Sequence, residues 1–140
     1  MRQEILDYIT NVMTNLTFED NTRVFNLVAQ TFYPLEAIRD FQLPACFVLN
    51  GTETRDYSGS RVICTFNVIL RIVIRDEHHL SKIMNKVLEP VLDYFVQDRY
   101  LNHLSDFPVE ITEIDSMEGY VAPFEVCNIQ LRAYYSYQCP

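Results

Sequence analysis

Four acids, Glu110, Glu113, Asp115 and Glu118, fall within nine residues of one another. Paired carboxylates do general acid–base work when unlike environments push their pKa values apart. Glu110 shares a strand face with Thr112, so the cluster reads as a solvated acidic surface or channel lining instead. The histidines offer no better set. His78 and His79 are adjacent and diverge on a helix, whereas i, i+4 spacing would aim two imidazoles at one ion. His103 stands alone in a connecting stretch. Cys46, Cys64, Cys127 and Cys139 include no CxxC pair, which removes the short-range zinc and redox signatures. Cys64 and Cys127 occupy apolar positions and read as small buried hydrophobes, with no disulfide expected. Glycines 51, 59 and 119 cannot build GxxxxGK[ST] or GxGxxG, and neither GxSxG nor HExxH occurs. Tyr134, Tyr135 and Tyr137 have rings on which bases stack, but no basic groove accompanies them. Core and interface roles suit these tyrosines better. No catalytic, cofactor or metal residues are assigned, and the chain is not read as an enzyme.

The bulk properties agree with a binding or structural role. The chain has 140 residues, 49% hydrophobic and 21% charged, which favours one globular domain over residues 1–140. A domain of this size buries roughly two thirds of its unfolded surface. The formal net charge of -8 opposes binding to a phosphate backbone, though it suits the wall of a conduit past which nucleic acid slides. No uncharged apolar run reaches the length of about 18 residues needed to cross a bilayer, and no membrane partner is expected. MRQEILDYIT carries acids within its apolar pattern and lacks the basic flank and cleavage site of a signal peptide.

The elements that organise the chain are read from periodicity. In RVICTFNVILRIVI, Val62, Cys64, Phe66, Val68, Leu70, Ile72 and Ile74 form an unbroken apolar face. The opposite face mixes Arg61, Asn67, Arg71 and Arg75 with Ile63, Ile69 and Val73, as a central strand would if its second side met another protein. An amphipathic helix follows, with Leu80, Ile83, Met84, Val87, Leu88, Val91, Leu92 and Phe95 in phase through Pro90, where a kink is expected. Asp76 is placed to cap that helix. Upstream, Ile5, Leu6, Ile9, Val12, Met13 and Leu16 mark a helix over 4–16. A strand is expected over 23–29, then helical turns after Pro34, and a short strand, CFVLNG. The polar stretch 51–60 is expected to be a loop, with Glu53, Arg55, Asp56 and Tyr57 as a contact arm. VEITEID reads as an edge strand, and EVCNIQLRAYYSY as the last strand. The predicted fold class is α+β, one mixed, mainly antiparallel sheet with two helices packed on one face.

This order resembles the tail terminator proteins of long-tailed bacteriophages, also called tail completion or minor tail proteins. The likeness runs from the N-terminal helix through LPACFVLNG, a polar loop and RVICTFNVILRIVIRD. It continues with LSKIMNKVLEPVLDYFVQD, VEITEID and LRAYYSY. It is one of pattern and order, not of a chemical signature. The resemblance implies a homohexameric ring that caps the tail tube, ends its polymerisation and joins a head or neck protein while DNA passes through as cargo. It also implies a location in the virion tail, assembled in the host cytoplasm. Under it, Arg61, Asn67, Arg71, Arg75, Arg132 and Tyr134 would form the subunit interface. Glu53, Arg55, Asp56 and Tyr57 would reach a neighbour, and Glu110, Glu113, Asp115 and Glu118 would line an acidic surface or lumen. Another head–tail joining protein of the same fold, or a small dimeric ligand-binding or regulatory domain, fits the same elements.

Overall fold

The computed structural model describes residues 1–76, 82–116 and 123–139. Its elements are α1 (Arg2–Asn15), β1 (Leu27–Ala29), β2 (Ala45–Ser58), β3 (Arg61–Arg75), α2 (Lys82–Gln97), β4 (Glu110–Ser116) and β5 (Phe124–Gln138). Single 3₁₀ turns at Leu35–Ala37 and Asp40–Gln42 supply the helical turns expected after Pro34. The five strands form one mixed sheet in the order β1-β2-β3-β5-β4, parallel only between β1 and β2. This is the predicted α+β class.

The alternation of β3 decides the layering. Its even residues, from Val62 to Ile74, are buried with Cys127, Ile129, Leu131 and Ala133 of β5. The same cluster takes Ile5, Leu6, Ile9 and Met13 from α1 and Met84, Val87, Leu88, Val91 and Phe95 from α2. Both helices therefore lie on one side of the sheet. Pro90 sits inside α2 without ending it. Tyr8 of α1 and Tyr94 of α2 both donate to Asp98 Oδ2 at 2.6 Å, which ties the helices together. Burial works to raise the Asp98 carboxyl, yet these two donors, with the Asn102 N–H and nearby His103, hold it below the ordinary range.

Two expectations need correction. The strand over 23–29 shrinks to Leu27–Ala29. The chain doubles back first, with a single bridge between Thr17 and Arg23, so Val24 and Phe25 fill the core from irregular backbone. The loop over 51–60 is instead strand. Residues 53–58 pair in register with β3 from Phe66 to Arg61, and the reversal is confined to Gly59 and Ser60. Gly59 takes a φ of 62°, the left-handed conformation that glycine adopts without strain. The polar composition misled because this part of β2 borrows its order from β3, a strand already committed by its apolar face. The helix start that Asp76 would cap, His78, His79 and Glu118 lie outside the described residues.

Candidate functional site

The side of the sheet away from the helices is the candidate site. The pairing of β3 with β5 sets Ile63 beside Ser136, Thr65 beside Tyr134, Asn67 beside Arg132, Ile69 beside Gln130 and Arg71 beside Asn128. The pairing of β4 with β5 adds Glu110 beside Arg132, Glu113 beside Gln130 and Asp115 beside Asn128. Neighbours in register share a face. The basic residues expected at a subunit contact and three of the acids expected on a lumen thus belong to one surface.

The chain itself covers one end of that surface. Ile38 and Leu43, from the connection between β1 and β2, pack on Phe47, Val73 and Val126. The Arg71 guanidinium lies 4.9 Å from the Phe32 ring centre, and its Nε donates to Asn128 Oδ1 at 3.0 Å. Arg75 pairs with Asp40 at 2.9 Å. Arg71 and Arg75 are therefore engaged within the chain. At the other end, Phe107 packs edge-on against Tyr134, whose hydroxyl donates to Glu110 at 2.6 Å. Burial and that carboxylate together raise the Tyr134 hydroxyl pKa. Arg61 donates to Ser136 Oγ, which donates in turn to Asp106, at 2.6 and 2.7 Å.

Between these ends lie Ile63, Thr65, Asn67, Ile69, Gln130 and Arg132, all half-buried. Asn67 Nδ2 donates to Thr52 at 2.9 Å. Asn67 Oδ1 and Arg132 Nε are buried with no hydrogen-bond partner among the described residues. A buried polar atom left unpaired costs about 1–3 kcal/mol.

Glu53, Arg55, Asp56 and Tyr57, expected together on a contact loop, are divided between the two faces of β2. Asp56 is opposite Ile63 on the open side, while Glu53, Arg55 and Tyr57 are opposite Phe66, Cys64 and Val62 on the helix side. Glu53 is the hub there. It pairs with Arg55 at 2.9 Å and Arg2 at 3.7 Å, and it accepts a hydrogen bond from Tyr135. Burial pushes the Glu53 carboxyl up, but the Tyr135 hydrogen bond and the two guanidiniums prevail and lower its pKa. Arg2 also lies 4.7 Å from the Phe66 ring centre, so this network binds the start of α1 to the hairpin. Arg55 reaches the Tyr137 hydroxyl at 2.6 Å. Nothing in the local sequence of Arg2 or Phe32 signals these roles, because both depend on chain segments brought together only by the fold.

Cys46, Cys64 and Cys127 are buried core residues, and burial raises the thiol pKa of Cys46. Among the described residues, no three His, Cys, Asp or Glu side chains converge on a point that would hold a metal. No helix of the described residues is long and apolar enough to cross a membrane. The fold and site define an α+β domain with one helix-covered sheet face and one partly open face. No protein-family model matches the chain, and no curated protein is significantly similar to it.

Proposed function

We infer that the protein is a structural subunit of the tail terminator type, which assembles into a ring on a phage tail tube, ends its growth and joins it to a head or neck protein. The observation that carries this reading is the uncovered centre of the open sheet face. There Thr65 and Ile69 flank Asn67, which is the cross-strand neighbour of Arg132. A ring contact is heterologous and needs two different patches per subunit. The open face supplies one, and the outer part of the β2–β3 hairpin, with Tyr57 at 69% exposed, supplies a candidate second. The net charge of -8 per chain, repeated around a ring, would keep passing DNA from adhering to its wall.

Native mass spectrometry and negative-stain microscopy of the purified protein, alone and with tail tubes, test this directly. A closed ring supports the reading, and monomers under both conditions sink it. The open face would equally suit an isologous dimer, and a mass of two chains would favour the regulatory-domain alternative.

A further inference from the structure

The sheet ends on β4, whose outer edge has no strand partner among the described residues. Such an edge presents backbone N–H and C=O groups to any extended chain that approaches. Two pockets flank the start of this strand, one on each face of the sheet. On the open side, Phe107, Pro108 and Tyr134 shape a pocket of about 440 Å³. On the helix side, Phe95, Val96, Val109 and Ile111 shape one of about 320 Å³. Arg99 and Glu110 line both. Successive side chains of an extended segment point to opposite faces. Arg99 already bonds the N–H and the C=O of Val109, so the open edge begins just past the pockets, and a strand added along 110–116 would draw affinity from backbone bonds and selectivity from alternate side chains.

The occupant follows from charge. Glu113 and Asp115 are exposed and have no ion-pair partner among the described residues, and Glu110 stands beside them. A second copy of β4 would set these three acids against the same three. The outer part of β2 sets Glu53 and Asp56 against Arg55 and the neighbouring Arg2, so it brings no net positive charge to meet these acids. We propose that β4 docks an extended cationic segment of another polypeptide, which adds as a sixth strand to the five and places apolar side chains in the two pockets. This is independent of ring formation.

The test uses a fluorescent peptide blocked at both ends and matched in length to β4, with two adjacent valines, one for each face, and lysines at alternate positions beyond them. Saturable, salt-sensitive binding is expected, with amide-exchange protection confined to Glu110–Ser116. Methylating alternate peptide nitrogens should abolish it. The E113Q/D115N variant, both positions being exposed, should fold normally and bind about fivefold more weakly, the scale of two surface ion pairs. Absent saturation, undiminished binding of the methylated peptide, or protection on Asn50–Ser58 instead overturns the proposal. So does self-association that protects β4, which would make a second copy the occupant.

Discussion

Asn67 on β3 and Arg132 on β5 are direct cross-strand neighbours on the open sheet face, and each keeps one buried polar atom unpaired among the described residues. If a second subunit completes that pair, Arg132→Leu should separate folding from assembly. We expect the isolated domain to keep its stability or gain about 1 kcal/mol, since an unpaired buried group disappears, while self-association weakens. Urea denaturation and size-exclusion chromatography measure the two effects. Wild-type assembly by this variant would remove the pair from the interface.

Gly51 sits where the register of β2 shifts, between Asn50 and Glu53. A Cβ built there would stand 2.5 Å from the Asn67 carbonyl oxygen, too close for any side chain. Gly51→Ala should cost about 1–3 kcal/mol, the range of overpacked positions. Gly59→Ala has open space around it and meets only the penalty of a side chain in the left-handed region, about 1 kcal/mol. A urea midpoint for Gly51→Ala no lower than that for Gly59→Ala would refute the steric argument.

Glu53 gives the domain a pH dependence. Its folded pKa lies below the ordinary 4.5, so its contribution is complete above that value and is lost as pH falls through the depressed folded value. Asp98 acts in a similar acid window, so the informative quantity is the difference between wild type and Glu53→Gln. We expect the variant to lose about 1–2 kcal/mol near neutrality, the scale of a charge-assisted hydrogen bond. The gap should narrow on acidification below 4.5. Parallel stability curves would show that the network contributes nothing through its charge.

Pro90 lies in the interior of α2, where it cannot donate a backbone hydrogen bond. Pro90→Ala should raise stability by about 1–3 kcal/mol. A calorimetric melting temperature that falls would mean that α2 needs the bend a proline imposes to follow the sheet.

The legible parts of this fold were those with a strict period. The even residues of β3 and the stripe of α2 announced both the sheet and the layer on it, because burial on one side leaves a periodic trace. β5 was readable for the same reason, whereas β4, with no buried residue of its own and a register shift between Ile111 and Glu113, shows only the start of such an alternation from Val109. The outer half of β2 was not, since Thr52, Thr54 and Tyr57 suit a strand but its polar residues owe their order to β3. The segment that covers Val73 and Val126 was also hidden, because Tyr33, Ile38 and Leu43 follow no period. That cover changes the candidate site most. It occupies Arg71 and Arg75 and leaves Asn67 and Arg132 at the centre of what remains open.

The order of the strands also bears on synthesis. β3 is central, yet one of its two neighbours, β5, is the last strand of the chain. A ribosome that has released β2 and β3 has made a long hairpin whose apolar face and free edge await residues from Phe124 onward. Exposed edges of this kind recruit other chains. Chains truncated before Phe124 should therefore be the aggregating species during expression, with β5 serving as the seal on a sheet that begins at Leu27.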